Sequence, residues 1–475
     1  MNSVFAVALV GLCATGAAGG EPPAWPQFRG PAGSGIAAGQ TPPVEVGPTK
    51  NVKWKVPAPS GFSSPIIVGD LLVLTAFENN KLYTIAYTRA EGKEAWRAHA
   101  PATRIEPFHQ TEGSPAASTP ATDGTRVVSY FGSCGLFCYD LSGKELWKYE
   151  LPTAATEFDF GTGSSPVIAD GLVVLLRDDR KNSKIIAVDI QTGRRKWETD
   201  RASTCSFSTP VVFDTAAGKQ VAAPGYGRMI AYDLKTGKET WFVIGMPSAV
   251  CASPVVVGDV LYFAAWATGE DFKLPSFEDL SKEAGDESRG HVTKEGLDKT
   301  VAKGLFDSFD LDHDGKLTRA EWDTLLKFVS ASKNSAFALK LGGTGDVTKS
   351  HVMWRQTKGL PYVPTGIAYQ GQLVMAKDGG LVTAYNLTDG KEVYVQERAV
   401  AAGRYYASPV AANGHIYFTA LDDGTITVLK AGADEPTVVA RNPKLNERVA
   451  ATPAIAGNTL YVRTAKHLYA FAEKK

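Results

Sequence analysis

The chain has 475 residues, with 50 Lys+Arg against 50 Asp+Glu, so its formal charge is zero. That balance argues against a nucleic-acid groove, which is usually basic on one face, and against a polybasic membrane anchor. Apolar residues make up 44% and glycines number 47, enough for a large core with little compositional sign of disorder.

Residues 1–20 carry no charged side chain, and an apolar run from Val4 to Leu12 leads into small residues from Ala14 to Gly20. This pattern predicts a signal peptide over residues 1–18 and an exported, periplasmic or cell-surface protein. No later apolar stretch is long enough to span a bilayer as a helix. Beyond the leader stand Cys134, Cys138, Cys205 and Cys251, too few for a disulfide scaffold. Cys134 and Cys138 are placed either to pair within one hairpin or to stay buried as small apolar thiols.

From residue 64 onward one motif recurs: Ser or Thr, then Pro, three apolar residues and a Gly/Asp/Asn turn. It stands at Ser64-Pro65, Thr119-Pro120, Ser165-Pro166, Thr209-Pro210, Ser253-Pro254, Ser408-Pro409 and Thr452-Pro453. An eighth copy has Gly366 where the proline belongs. Most neighbouring copies lie 43 to 46 residues apart, but 112 residues separate Ser253 from Thr365. That gap marks an insertion.

A second motif, Ala-x-Asp-x-x-Thr-Gly-Lys-x-x-Trp, follows several copies, as in Ala187 to Trp197 and Ala231 to Trp241. Variants run from Ala86 to Trp96, Cys138 to Trp147 and Ala384 to Tyr394. The spacing predicts a hairpin with a glycine turn and an aromatic on its second strand. A Trp repeated once per unit is placed to wedge between neighbouring units. The first unit reads as four strands, near 64–68, 71–77, 81–88 and 94–99.

Four strands repeated about every 44 residues describe a propeller blade. Residues 25–267 and 335–475 hold eight such units. The last unit has three strands, and the missing one is supplied by the run around Trp54 near the N-terminus. Ring closure by the two termini removes an exposed sheet edge. The expected fold class is all-β, an eight-bladed β-propeller with a small α-helical EF-hand insertion in blade five.

These motifs resemble the pyrroloquinoline-quinone-like (PQQ-like, quinoprotein-type) propeller repeat family. The Ala-x-Asp-x-x-Thr-Gly-Lys-x-x-Trp run resembles its tryptophan docking motif. Trp25-Pro26-Gln27-Phe28-Arg29-Gly30 looks like the leader of secreted members from planctomycete-type bacteria. That family spans quinoprotein dehydrogenases and an outer-membrane assembly propeller, so the resemblance implies fold and not chemistry. The dehydrogenase members carry an adjacent cysteine pair, which this sequence lacks. The resemblance therefore implies PQQ as a cofactor without favouring it.

Residues 268–334, the insertion, contain 15 acidic and 10 basic side chains. Asp310-Leu311-Asp312-His313-Asp314-Gly315-Lys316-Leu317-Thr318-Arg319-Ala320-Glu321 fits the EF-hand loop position by position. Asp310, Asp312 and Asp314 offer hard carboxylate oxygens to Ca2+, Lys316 its carbonyl, Thr318 an oxygen, and Glu321 two more. Leu297, Val301, Leu305 and Phe309 predict one helix before the loop; Trp322, Leu325, Leu326 and Val329 predict another after it. An echo without metal ligands, Arg289 to Thr293, precedes the first helix. The insertion lies between the second and third strands of blade five, so it is expected to overhang the channel mouth. Its negative charge is expected to face the mildly basic propeller there.

The loops on that face supply His109, Asp159, Arg177, Trp266, Lys377 and Arg404 as ligand-mouth candidates, with Glu112, Tyr405 and Arg448 nearby. The bland alternative is a polar rim of solvated charge. No catalytic motif is present, and no general base can be assigned. The sequence thus points to an exported calcium-binding scaffold with a protein or peptide partner on the loop face. The alternative is a quinone- or small-ligand-dependent oxidoreductase with its site in the channel.

Overall fold

The computed structural model describes residues 24–180, 182–203, 206–268, 273–310 and 314–473. The expected signal peptide, Cys205 and Asp312 lie outside them. Eight sheets of four antiparallel strands form a closed ring, with one extra strand on blade four. Blade one runs Ile66–Val68, Leu71–Glu78, Lys81–Thr88 and Glu94–Ala100. Val52–Pro57 pairs with His467–Phe471 in blade eight, with Lys55 opposite Tyr469, so the two termini close the ring as the repeat predicts.

Inner strands are packed on both faces by neighbouring blades and carry near-continuous apolar runs, as in Leu172–Arg177. Outer strands alternate, as in Val52–Pro57, where Trp54 faces inward and lysines face out. The tryptophans dock each blade on the next. The indole N–H donates across the boundary from Trp54 to the Arg89 carbonyl at 2.9 Å, and from Trp96 to Leu141 at 2.9 Å. Trp147 bonds Ile190 at 2.8 Å, Trp197 bonds Leu234 at 2.9 Å, and Trp354 bonds Leu387 at 2.9 Å. Each indole lies flat on the glycine of the next blade's turn. A Cβ on Gly193 would stand 2.7 Å from the Trp147 ring, and Gly193 has φ 67°. The Thr-Gly-Lys turn is therefore glycine for two reasons, left-handed backbone and indole contact.

Blade four departs from this pattern. Trp241 donates instead to Gln220 Oε1 of its own blade at 2.9 Å. Blade five has no Thr-Gly-Lys turn to receive it, and Gly345–Asp346 from its long last connection pairs with Trp241 and Phe242 as a fifth strand.

The Ser/Thr-Pro motif forms a second device. Each hydroxyl accepts the backbone N–H of the equivalent residue one blade earlier. Ser64 donates to Thr119 at 2.9 Å, Thr119 to Ser165 at 2.9 Å, Ser165 to Thr209 at 3.1 Å, and Thr209 to Ser253 at 3.0 Å. Ser253 donates to Thr365 at 2.9 Å, Thr365 to Ser408 at 3.0 Å, Ser408 to Thr452 at 3.0 Å, and Thr452 back to Ser64 at 3.0 Å. Eight hydroxyls thus form a closed collar around the channel.

Below the collar the leader crosses the channel. Trp25 pairs with Ile67 of blade one and Ile36 with Ala411 of blade seven. Between them the guanidinium of Arg29, fully buried, donates to the carbonyls of Gly33, Ser34, Thr365, Gly366 and Pro409 at 3.1–3.4 Å. Burial lowers its pKa to about 9, still above neutral pH.

The insertion leaves blade five after Val260–Ala265 and returns as Ser335–Lys340, the place the sequence predicts. Its helices are Phe277–Ala284, Lys294–Leu297, Phe306–Phe309 and Arg319–Ser330. The single helix expected through Leu297, Val301, Leu305 and Phe309 is two short ones. Gly304 adopts φ 81°, and Val301 is exposed. Leu297, Phe309, Trp322 and Leu325 do share one core.

Among the described residues, none of the insertion lines the channel cavity, where an overhang is expected. The insertion packs against blade four: Phe309 meets Tyr226 edge-on, Phe328 meets Phe242, and Arg228 lies 4.4 Å from the Phe328 ring. Apolar side chains on blade four's outer strand and loop decide the docking, so the contact is mainly apolar and not the charge attraction expected from composition.

Candidate functional site

Above the collar, the channel widens into a cavity of about 200 Å³. Phe28 of the leader contributes to its lining, as do all eight collar residues, Phe62, Phe160, Phe207, Tyr362 and Tyr406. The Phe160 and Phe207 rings meet at 6.2 Å and 88°. Glu112, Gly113 and Ser114 reach it from the long connection between blades one and two.

That connection is held at both ends. At one end, Arg404 donates to Glu112 at 3.0 Å, Arg448 donates at 3.4 Å, and the Tyr406 hydroxyl also donates to its carboxylate. Burial opposes ionisation of Glu112, but the Tyr406 hydrogen bond and the two arginines overcome it and lower its pKa to about 2. At the other end Glu106 is buried. Its Oε1 accepts from Thr162 at 2.9 Å, and Oε2 has no hydrogen-bond partner among the described residues. Burial pushes Glu106 up to about 8, against the pull of Thr162 and Arg177. Gly132 is required beside it, because a Cβ there would stand 2.1 Å from Oε2.

Of the sequence-predicted mouth residues, Glu112, Arg404 and Arg448 converge and the others do not. His109 is exposed, and its Nδ1 accepts the Glu112 amide at 3.2 Å inside a turn. Asp159 pairs with Arg180 at 3.0 Å on the surface. Arg177 is not on the rim: it is buried, donates to the Pro152 carbonyl at 2.8 Å and pairs with Asp179 at 3.0 Å. Its place at the end of an inner strand is what carries it inside. Asp178 beside it is sealed with Arg201 at 2.8 Å. Tyr405 is likewise buried, its hydroxyl on the Ala401 carbonyl. Lys377 is half-buried at the end of its strand. Trp266 packs edge-on against Tyr362 and donates its backbone N–H to Pro361. Of the six ligand-mouth candidates Arg404 alone joins the clasp, where it meets Glu112 and Arg448, both also named from the sequence. Cys134, Cys138 and Cys251 are free thiols, so the Cys134–Cys138 hairpin pairing is not formed.

In the insertion the two loops form a pair. His291–Val292 and Leu317–Thr318 make a short antiparallel ladder, Val292 opposite Leu317. Gly290 and Gly315 are both left-handed, at φ 73° and 80°. Thr293 and Thr318 each cap the following helix. The loop named an echo is thus the structural twin of the loop with the acidic pattern. Its Asp286 carboxylate accepts from Thr293 and holds Arg289 at 2.9 Å.

In the second loop Asp310 and Glu321 are nearly buried. Asp310 Oδ1 and Oδ2 accept the amides of Asp314 and Gly315 at 3.1 and 2.9 Å. Burial, with like charge from Glu321 and Asp314, raises the Asp310 pKa. Among the described residues no group of three or more His, Cys, Asp or Glu is gathered as a metal cage. Asp312, the third loop carboxylate, lies outside them.

A family profile described as outer membrane protein assembly factor BamB matches residues 81–269 and 345–474, the blades on either side of the insertion. The chain belongs to this family. The BamB protein of Burkholderia pseudomallei (strain K96243) is 25% identical over 418 residues, covering 84% of this chain and 81% of that one. The serine/threonine-protein kinase AfsK of Streptomyces griseus is 26% identical over 232 residues, 43% of this chain and 27% of the kinase. Among solved structures, BamB from Moraxella catarrhalis superposes with a TM-score of 0.52 at 14% identity, covering 88% of this chain and 98% of its own. A europium-containing methanol dehydrogenase gives 0.54 at 12%, covering 95% and 98%. These likenesses show the shared fold. Among the described residues no helix is long and apolar enough to cross a membrane.

A PQQ cofactor, which the repeat resemblance implies, carries three carboxylates. Among the described residues no Lys, Arg or His lines the BamB-type channel cavity here, and its one ionic group is the acid Glu112. Two guanidinium groups of the mouth, those of Arg404 and Arg448, are held on that acid. The donor set does not fit a tricarboxylate.

Proposed function

We propose that this BamB-type chain is an exported calcium-binding propeller that works as a binding and assembly scaffold. One observation carries the reading: the mouth acids Glu112 and Asp159 are neutralised by arginines while an aromatic stands outward beside them. Glu112 is held by Arg404 and Arg448, and Asp159 by Arg180. Phe158 is 73% exposed on the same face, with a left-handed φ of 53° that a bulky residue rarely adopts. An exposed aromatic on a loop is the kind of anchor that protein interfaces bury. A relative named for assembly of outer membrane proteins supports the same reading.

The calcium site is the loop of Asp310, Asp312, Asp314, Lys316, Thr318 and Glu321. Its paired geometry supports the assignment, and its twin loop, with Arg289 on Asp286, takes no metal. Residues 25–267 and 335–475 make the propeller, 268–334 the calcium module, and 1–18 the export signal. Photo-crosslinking tests the scaffold: a benzophenone at position 158 is expected to trap a discrete envelope protein, and one at Glu91, in the turn between the third and fourth strands of blade one, is not. Equal capture at both positions would contradict it.

A further inference from the structure

The collar has a chemical consequence beyond ring closure. Each of its eight hydroxyl oxygens accepts one backbone N–H. Among the described residues seven of the eight have no protein acceptor for their own proton, and Ser253 Oγ shares a 3.4 Å contact with the Ser208 hydroxyl. All eight residues line the cavity. The channel axis is therefore ringed by hydroxyl donors, with Phe160, Phe207 and Tyr406 as flat apolar walls. Phe28 of the leader underlies this chamber, and the connection carrying Glu112 reaches over it from the loop face.

Charge sorts what such a chamber accepts. No basic side chain among the described residues lines it, so an anion entering would lose hydration without gaining a counter-charge. A cation would meet Glu112, which is already paired with two arginines. The Cys251 thiol also lines it, and burial pushes that thiol up to about 12, so it adds no charge near neutral pH. An uncharged ligand loses least on entering.

We propose that the chamber binds one small, uncharged, flat molecule whose oxygen acceptors take the collar's hydroxyl protons. This inference does not depend on the scaffold or calcium readings. It separates this channel from a seat for an anionic quinone by the polarity of the donor set.

The test uses the full mature chain and three probes. Coumarin is neutral and flat, with two acceptor oxygens; coumarin-3-carboxylate is an anionic analogue of it; PQQ is the tricarboxylate. Fluorescence titration is expected to show saturable one-to-one binding of coumarin and at least tenfold weaker binding of the carboxylate. PQQ is expected not to co-elute through gel filtration. Val363→Trp, on the half-buried cavity wall, is expected to weaken coumarin at least tenfold with an unchanged melting temperature. Should that variant melt early, Ala117→Leu, also on the wall, replaces it. No saturable coumarin binding, equal affinity for the anion, co-elution of PQQ, or unchanged binding in the wall variant would overturn the proposal.

Discussion

The amide of Thr452 donates to the hydroxyl of Ser64 at 3.0 Å, joining residues 388 positions apart and closing the collar that begins at Ser64 itself. Both residues are buried, so each bond of the ring replaces a water that the channel wall cannot supply. The strand pair Val52–Pro57 with His467–Phe471 closes the outside of the ring, and this bond closes the inside.

Ser64→Ala should therefore leave a buried amide without an acceptor and cost about 1–3 kcal/mol. Ser64→Thr should restore most of that loss, since threonine fills four of the eight collar places. Urea denaturation of the two variants decides this; equal stability of Ser64→Ala and the parent would contradict it.

Blade docking makes a second contrast. Gly193 and Gly69 are both left-handed, but a Cβ on Gly193 meets the Trp147 ring while one on Gly69 meets nothing within 4 Å. Gly69→Ala should cost about 1 kcal/mol for backbone strain alone. Gly193→Ala should cost about 2–4 kcal/mol, because the indole must also move. Matched losses would remove the docking argument.

Buried Glu106 makes stability fall with pH. Its folded pKa, about 8, lies above its ordinary value of 4.5. Between those pH values the folded chain keeps a proton that the unfolded chain has released, so stability declines as pH rises. Glu106→Gln should remove that part of the slope between pH 5 and 8. Melting curves in that window check it, and an identical slope in the variant would refute it.

The clasp should matter to motion more than to stability. Glu112→Gln weakens partly exposed ion pairs, which contribute little to global stability. Hydrogen exchange at the amides of residues 109–113 should quicken at least fivefold while the melting temperature barely moves. In the parent, the Glu112 contribution is present above pH 4.5 and lost as pH falls toward about 2.

Much of this fold could be read in the sequence because its devices are local. The Trp147 side chain and the Gly193 turn recur at fixed spacing, and that spacing is the interface itself. The collar was legible only as a strand motif: the partner of each hydroxyl sits about 44 residues away, and nothing local to Ser64 announces Thr452. Arg177 was misplaced because its charge suggested a solvated rim, while its place at the end of an inner strand carries it inside, where Asp179 pairs with it. The docking of the insertion was not legible, because Tyr226, Phe242 and Arg228 belong to blade four and carry no mark of their partner. The acidic loop was legible as a pattern, because its residues lie on one continuous segment, whereas its pairing with the Arg289–Thr293 loop was not.

Calcium titration of the mature chain by calorimetry tests the calcium-binding scaffold most directly. One ion per chain is predicted, with a Kd on the order of 0.1 to 1 mM. Glu321→Gln should abolish the signal, and Arg289→Ala should leave the count at one. No binding, two ions per chain, or one ion unaffected by Glu321→Gln would contradict the account.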